Sequence, residues 1–406
     1  MIRQSADPDT TATEVGAILT GLIDVGIPAA ALAGSWFGHH AIIIPHLLAR
    51  PLAHSSAFPG PAVSTRPAVH VGWVPYSGSA MGGRADHDLI LCDDDGWHFD
   101  GADPVVSDVV TRSLTTVRDG RNPLPADPAI AWDRGDEAAH RAGVESCLEA
   151  IRAGEVYQAC LSTRFHGTFH GDAVEVAARW FAARVKRFRP ARAAFLVGRD
   201  ADGRDVAVAS LSPEEFLVRD GRVVRETPIK GTVPLDRDPA DLLASAKDVA
   251  ENIMIVDLVR HDLGQVAETG TVTVPDLLSV SRAPGVWHLH STVQATLPEG
   301  LPHRDLVEAC FPPASVTGTP KKRAAELIDV WEPESRGVHC GAIGASWGDR
   351  LELNVGIRTA EFRGADGDGA HGSVEAGVGG GITIDSTPEG EWAEVLAKAA
   401  PLVNPV

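Results

Sequence analysis

The order of strand-like and helix-like segments after about residue 205 is the feature that most constrains the fold. Residues 206–218 and 221–232 are predicted to form neighbouring strands across a short turn. Residues 351–362 alternate, with Leu351 and Leu353 on one face and Glu352 and Asn354 on the other. Short turns favour antiparallel pairing, because a parallel pair needs a long crossover. The sequence therefore predicts an α+β fold of large antiparallel sheets packed together with helices outside, in preference to a doubly wound parallel sheet.

Helices and turns are predicted between and after these strands. An apolar periodicity predicts one long helix over residues 239–263. Thr319 followed by Pro320 is typical of a helix cap and first turn, and Thr387 followed by Pro388 predicts the same start for the last helix. The glycine-rich residues 377–382 are predicted to form a turn before that last helix.

The composition changes near residue 130. Residues 1–130 are rich in glycine, proline and short apolar runs and contain no catalytic motif, and the three prolines of residues 121–128 are typical of a linker or edge loop. We therefore predict an N-terminal lobe over residues 1–130 and a second region over residues 131–406 that carries the chemistry.

The charge balance excludes several partners. The chain has 36 Lys and Arg against 55 Asp and Glu, a formal net charge of −19. An excess of acid repels phosphate backbones and anionic bilayers, so binding to nucleic acid or a membrane surface is not expected. Any anionic substrate would need positive charge gathered at one place.

Cysteine usage and hydropathy indicate the compartment. The five cysteines are odd in number and none forms a CxxC pair, which is typical of reduced thiols. The first residues lack the apolar run of a signal peptide, and no apolar stretch approaches the roughly 18 residues of a membrane span. A cytoplasmic protein is predicted.

Two predicted helices carry acidic residues at helical spacing. Glu391, Glu394 and Lys398 share one face of the last helix, and Asp248 and Glu251 share a face of the long helix. Two such carboxylate pairs match what Mg²⁺ binds, with waters or substrate oxygens completing its octahedron. Each pair alone is a weak signal, because acidic residues at helical spacing usually form an ordinary solvated face.

Two basic residues are candidates for chemistry. Lys230 lies between Pro228 and Gly231 at a predicted strand end, where a deprotonated lysine can act as a nucleophile, although a plain surface charge is the alternative. Arg358, placed by the alternation on the polar face of its strand, can grip a carboxylate with two hydrogen bonds or form a cross-strand ion pair.

Glycine and histidine patterns give weaker signals. The backbone N–H groups of Gly377, Gly379, Gly380 and Gly381 can approach an anion closely, but a tight turn explains the same run. His288 and His290 share a strand face, and without a third ligand they are poor evidence for zinc.

Eight segments between residues 137 and 401 together resemble the chorismate-utilising enzymes, which include anthranilate, aminodeoxychorismate, isochorismate and salicylate synthases. In chain order the segments are GEVYQACLS, SPEEF, PIKGT, AENIMIVDLVRHDLG, WHLHST, FPPASVTGTPKKRA, GIRTAEF and GVGGGI. The resemblance implies that family's fold, with residues 1–130 as its N-terminal lobe and residues 131–406 as its chorismate-binding catalytic region.

The resemblance also implies roles for the candidate residues. Mg²⁺ is expected on Glu251 and Glu394, with Asp248 and Glu391 reaching it through water. The residues implied to line the substrate site are Arg358, Lys398, His288, Thr317, Thr232, Gly379 and Gly381. Glu214, in SPEEF, matches the family's general acid and base.

Two positions indicate a branch of the family. Gln158 stands where the isochorismate and salicylate synthases carry a water-activating lysine, which implies that ammonia is the nucleophile. Lys230 stands where anthranilate synthases have alanine, as in the aminodeoxychorismate branch, which implies amination at C4 through a covalent lysine intermediate. The alternatives are anthranilate or 2-amino-2-deoxyisochorismate as the product, or a non-catalytic subunit that binds chorismate and acts as a scaffold.

The source of ammonia is the last inference. None of the five cysteines has the GxCxG setting of a glutaminase nucleophile. The resemblance therefore implies a separate glutamine amidotransferase subunit, unless free ammonia suffices. His261 and Thr319 depart from the family's usual residues, and the first 130 residues show no recognisable tryptophan-binding segment, so the effect on product and regulation stays open.

Overall fold

The computed structural model describes residues 2–3, 8–53, 56–60, 67–99, 101–121, 124–283, 285–364 and 371–406. Its helices are α1 (Pro8–Asp24), α2 (Pro104–Arg118), α3 (Glu137–Arg152), α4 (Ala173–Phe188), α5 (Ala240–Ala244), α6 (Ala246–Gly264), α7 (His303–Cys310), α8 (Lys321–Trp331) and α9 (Pro388–Val403). None of these described helices is both long and apolar enough to cross a membrane.

The strands follow in chain order. They are β1 (Ile2–Arg3), β2 (Ala29–Trp36), β3 (His39–Pro45), β4 (Arg50–Leu52), β5 (Val69–Val74), β6 (Ala80–Ala85), β7 (Ile90–Asp93), β8 (Gly96–Phe99), β9 (Ala131–Trp132), β10 (Gln158–His170), β11 (Arg192–Arg199), β12 (Asp205–Ser212), β13 (Glu215–Asp220), β14 (Val223–Glu226), β15 (Ile229–Pro234), β16 (Thr273–Ala283), β17 (Val286–Thr296), β18 (Gly318–Thr319), β19 (Ala342–Trp347), β20 (Arg350–Val355), β21 (Thr359–Arg363) and β22 (His371–Ile382).

The described strands form two large sheets. A twelve-stranded sheet runs β1-β8-β7-β3-β2-β11-β12-β21-β22-β10-β18, with β9 on β10, and a ten-stranded sheet runs β15-β17-β14-β13-β20-β19-β5-β6-β4, with β16 on β17. Neighbouring strands such as β10 and β22 pair antiparallel. The predicted α+β architecture is therefore confirmed, and strands from before and after residue 130 share both sheets.

Alternation along each strand builds the layers. On β2, Ala31 packs into a core beneath the helices, whereas Leu32 packs into a second core together with Trp73 of β5 and Ile343 of β19. The first sheet is therefore buried on both faces in this region. That explains why its strands consist of continuous apolar runs. Helices α6 and α7 cover the second sheet through a third core.

Two local predictions need correction. The helix predicted over residues 239–263 is interrupted at Ser245, whose hydroxyl caps α6 by accepting from the Asp248 N–H. Thr319 is a strand residue paired with Gln158, and Pro320 is the N-cap of α8. The start of α9 agrees with prediction, since Thr387 caps it by accepting from Gly390 N–H.

The glycine run is the third correction. Residues 377–382 belong to β22 and pair with β10 instead of forming a turn. A Cβ atom at Gly379 would lie 2.2 Å from the Leu161 carbonyl oxygen, so glycine is required for the close approach of these two strands. The expected thiols are present, because all five cysteines are free.

The burial of His140 predicts how the stability of the fold changes in acid. It is 3% exposed on α3, its ring centroid is 5.5 Å from that of Trp392 on α9, and neither ring nitrogen has a hydrogen-bond partner in the described ranges. Burial lowers the pKa of His140 to about 4. Because the ordinary value is about 6.5, the unfolded chain binds the proton first, and stability falls as pH drops from about 6.5 toward 4.

We expect His140→Phe to reduce this acid sensitivity. Urea unfolding at pH 7 and pH 5 should show a loss of stability about 1–2 kcal/mol smaller in the variant than in the parent chain. Replacement of the exposed His87 by phenylalanine is the control and should leave the pH dependence unchanged. Equal losses in the parent and His140→Phe would contradict the assignment.

Candidate active site

A cavity of about 510 Å³ is lined by residues from both sheets and from α6 and α9. The predicted site residues that line it are Glu214, Lys230, Thr232, Asp248, Glu251, His288, Arg358, Gly379, Gly381, Glu394 and Lys398. Residues far apart in sequence therefore converge on one space, which is large enough for a small-molecule substrate.

A β-bulge places Lys230. Pairing between β15 and β17 shifts register between Ile229 and Thr232, and Lys230 lies in that interval. Gly231 has a φ of +93°, and a Cβ atom there would lie 3.1 Å from the Asp248 Cβ on α6. Lys230 Nζ donates to the Ser315 carbonyl at 3.1 Å. The bulge and this bond hold the amine at the cavity wall.

Glu214 is a buried carboxyl group on the same cavity. It follows β12, and its backbone is fixed because its N–H donates to Ser212 Oγ and its carbonyl accepts from Val355 N–H. The side chain is 6% exposed. Burial raises the pKa of Glu214, and a hydrogen bond with Ser315 and the Lys230 charge oppose that rise only partly. A carboxyl group with a raised pKa is suited to giving a proton to a leaving group.

Carboxylates from α6 and α9 meet at the glycines of β22. A Cβ atom at Gly380 would lie 3.2 Å from Glu391 Oε2 and 3.3 Å from Glu394 Oε1. One at Gly381 would lie 3.8 Å from Glu251 Oε2. The absence of side chains at these two glycines therefore leaves room between the acidic groups.

Two of these carboxylates are incompletely paired. Glu251 Oε1 and Glu391 Oε2 are buried and have no hydrogen-bond partner among the residues that the structure describes, and Lys247 Nζ is 3.8 Å from Glu251 Oε1. Burial raises the pKa of Glu251 and of Glu391. Burial also acts to raise the pKa of Glu394. The ion pair and hydrogen bond with Lys398, together with the charges of Lys247 and Lys230, outweigh burial and leave the pKa of Glu394 lowered.

This donor set fits Mg²⁺. The candidate ligands are all oxygen atoms, two of them buried and unpartnered, and a hard cation prefers such ligands. Within the part of the chain that the structure describes, no three His, Cys, Asp or Glu side chains form a closed metal cluster. An ion held here would keep positions for water or substrate oxygens, as Mg²⁺ usually does.

Positively charged groups line the same cavity. Arg358 is not on a strand face as predicted, because β20 ends at Val355 and Arg358 has a φ of +50° in the connection to β21. Its guanidinium has no ion-pair or hydrogen-bond partner among the described residues, and burial lowers the pKa of Arg358. Lys398 Nζ donates to the Gly379 carbonyl at 3.0 Å and is 2.6 Å from Glu394 Oε1. An unpaired guanidinium on a cavity wall is a receptor for a carboxylate.

His288 is held neutral beside these cations. Its Nδ1 is 2.8 Å from Thr232 Oγ1 across the β15–β17 pair. Burial, Arg358 and His290 lower the pKa of His288 to about 4. His290 bonds instead to Ser281, with Nδ1 3.2 Å from its hydroxyl, so the two histidines do not share a ligand.

Three predicted site residues lie outside the lining of the cavity. Thr317 is fully buried and its hydroxyl donates to the Pro313 carbonyl at 2.9 Å. Glu391 accepts from Ser386 Oγ at 2.6 Å behind Gly380. Gln158 Oε1 is buried without a partner and lies 3.9 Å from the Cβ position of Gly381, so it faces the glycine wall.

Sequence reasoning missed two contributors. Lys247 lines the cavity one helical turn before Glu251, and the i, i+4 spacing of a lysine and a glutamate could have revealed it. Ser315 contributes its backbone carbonyl to Lys230, and no sequence pattern announces such a contact.

Fold and cavity together define an α+β protein with one cavity in which buried carboxylate oxygens lie beside the guanidinium of Arg358 and the amines of Lys230 and Lys398. The model of the family described as chorismate binding enzyme matches residues 116–404. The chain belongs to this family.

Curated relatives carry two kinds of name. Aminodeoxychorismate synthase component 1 of Escherichia coli (strain K12) is 41% identical over 258 residues, covering 62% of this chain and 53% of that protein. Anthranilate synthase component 1 of Streptomyces coelicolor is 36% identical over 300 residues, covering 71% and 56%. The chain thus spans about half the length of the curated relatives it matches.

A solved structure agrees on the fold. Anthranilate synthase component I from Streptococcus pneumoniae superposes with a TM-score of 0.67 at 23% identity, covering 92% of this chain and 89% of that one. At this identity the likeness concerns the fold alone.

Proposed function

We propose that the chain is an aminodeoxychorismate synthase component I, which converts chorismate and ammonia to 4-amino-4-deoxychorismate on the route to 4-aminobenzoate. The observation that carries the proposal is the position of Lys230, whose amine is held in the cavity within the electrostatic reach of Glu214 and Glu251. The names of relatives at about 40% identity support the same reading.

Substrate binding follows from the charges of the cavity. Arg358 offers an unpaired guanidinium to one carboxylate of chorismate, and Lys398 offers a point charge to the other. Glu251 and Glu394 would hold Mg²⁺, with Asp248 and Glu391 nearby. The bound ion would neutralise a substrate carboxylate and withdraw electron density from the ring.

Two displacements then move the nitrogen to C4. Neutral Lys230 Nζ forms a bond to C2 while the ring double bond shifts and the C4 hydroxyl leaves as water, taking its proton from Glu214. The proton lost by the lysine nitrogen returns to Glu214. Ammonia then bonds to C4, the double bond shifts back, and Lys230 departs with that proton; Glu214 finally accepts one from the new ammonium group. Glu214 thus acts as acid and base in turn.

The supply of ammonia requires a second protein in this proposal. The name component 1 in the relatives is that of one part of a multi-component synthase. A glutamine amidotransferase subunit is the proposed partner, because the free cysteines here are buried or half-buried. Burial raises the pKa of each thiol, to about 12 for Cys147 and well above its ordinary value for Cys340. Such thiols are poor nucleophiles.

A turnover assay tests the proposal. The chain is incubated with chorismate, Mg²⁺ and concentrated ammonium, and the product is converted with an added aminodeoxychorismate lyase. Formation of 4-aminobenzoate is expected. Fluorescent anthranilate would instead assign the chain to the other amine-forming activity, while unconsumed chorismate with measurable binding would indicate a scaffold subunit.

A further inference from the structure

A second, much smaller cavity lies behind the first. Its volume is about 10 Å³, close to that of one water-sized sphere, and Glu214, Glu226, Pro228 and Ser315 are among the residues that line it. Glu214 and Ser315 line both cavities. Glu214 therefore separates the candidate active site from a pocket that holds another carboxyl group.

Glu226, at the end of β14, is a buried acid with few hydrogen-bond partners among the described residues. It is 4% exposed, and its Oε1 has no hydrogen-bond partner among the described residues. The thiol of Cys310 on α7 bonds to the carboxyl group. An unpaired polar atom at this depth is costly unless it meets water or a neighbouring polar group.

The charges around Glu226 favour its acid form. Lys321 at the start of α8 donates to Asp262 Oδ2 on α6 and to the Cys310 carbonyl, each at 2.7 Å, so its charge is already engaged. Burial, and then the Asp262 carboxylate, raise the pKa of Glu226 to about 8, with a smaller contribution from Glu214. At neutral pH Glu226 is therefore mainly a carboxylic acid with an O–H to donate.

We propose that Glu226 is a positioning residue for Glu214: its O–H donates, through one water in the small cavity, to the Glu214 carboxylate. This carboxylate forms each time Glu214 gives its proton to the departing hydroxyl. No proton needs to cross between the two acids, because the hydrogen bond alone stabilises the buried negative charge. The inference rests on the proposed function, in which Glu214 is the general acid.

The proposal has a distinctive pH signature. Above about pH 8 Glu226 becomes a carboxylate, so it loses its donor and sets a negative charge beside Glu214. The groups that face it are Asp262, Lys321, Cys310 and Glu214. The ionised form of Glu214 is then disfavoured, so proton transfer to the leaving group becomes harder. A plot of kcat against pH should therefore fall near pH 8.

Paired variants test this. Glu226→Gln keeps a donor but cannot ionise, so kcat for chorismate consumption should stay within about threefold of the parent and the fall near pH 8 should vanish. Glu226→Leu removes the donor and should lower kcat about 10- to 100-fold with little change in KM. Glu14→Gln, the same change at a buried glutamate of α1, is the control and should leave the pH dependence of kcat unchanged.

Infrared spectroscopy gives a readout that needs no turnover. The parent chain should show a carboxylic-acid C=O band that titrates near pH 8, is absent from Glu226→Gln and persists in Glu14→Gln. The proposal is overturned if that band is missing from the parent, if Glu226→Leu matches the parent in kcat and pH profile, or if folded Glu226→Gln is as impaired as Glu226→Leu. A parent chain that consumes no chorismate would sink the proposed function, and the infrared result would still decide the protonation of Glu226.

Discussion

Replacement of Lys230 by alanine is expected to lower amination at C4 by about 10³-fold or more, the scale seen when a covalent nucleophile is removed. The amine is the only described group that a bulge and a carbonyl contact hold at the cavity wall beside Glu214. One allylic displacement would carry nitrogen to a different carbon from the one that lost oxygen. Any residual amination should therefore appear at C2.

The measurement is the rate of 4-amino-4-deoxychorismate formation with saturating ammonium. Lys322→Ala, which removes an exposed lysine of α8, is the matched control and should keep the parent's rate. Binding of chorismate by Lys230→Ala should persist, since Arg358 and Lys398 are intact. C4 amination at the parent's rate in Lys230→Ala would show that the covalent role is wrong.

Replacement of Glu394 by glutamine is expected to weaken Mg²⁺ binding by about tenfold or more. A dication held by few carboxylates loses much of its attraction when one negative charge is removed. Glu394 Oε1 faces Gly380 near the unpartnered Oε2 of Glu391, and the lowered pKa of Glu394 keeps it ionised at neutral pH. Activity should be recovered in part at high Mg²⁺ concentration.

Calorimetric titration of Mg²⁺ into the chain without chorismate separates binding from turnover. Glu389→Gln changes an exposed acid on the first turn of the same helix and should leave the titration unchanged. If Glu394→Gln bound Mg²⁺ as tightly as the parent, the metal site would have to be sought elsewhere in the cavity.

The prediction of the fold succeeded where the signal was local or carried by a motif. Alternation along 351–362 correctly indicated β20, and Thr387 with Pro388 correctly placed the start of α9. The motifs led to residues that lie on one cavity, although no spacing along the chain fixes the distance between α6 and α9.

Apart from the local cap at Ser245, the failures involve contacts between residues far apart in sequence. The glycine-rich residues 377–381 form a strand because β10 pairs with them, and glycine has no strand preference of its own that a local pattern could reveal. Arg358 is turned into a left-handed connection whose carbonyl accepts from Leu211 N–H on another strand. Glu226, next to the PIKGT segment, was not among the residues singled out from the sequence, because the packing of α6, α7 and α8 is what makes it a buried acid.

The net charge of −19 now has a spatial explanation. Arg358, Lys398, Lys230 and Lys247 line one cavity, while Glu251 and Glu394 are proposed to hold a cation there. An acidic protein can therefore gather basic groups at one place, as binding of an anionic substrate would require.

The position of the transferred nitrogen tests the central claim most directly. Chorismate is incubated with the chain, Mg²⁺ and ¹⁵N-ammonium, and the carbon bonded to ¹⁵N is identified by NMR. The account predicts ¹⁵N on C4, in 4-amino-4-deoxychorismate. Label on C2, as in anthranilate or 2-amino-2-deoxyisochorismate, would contradict it.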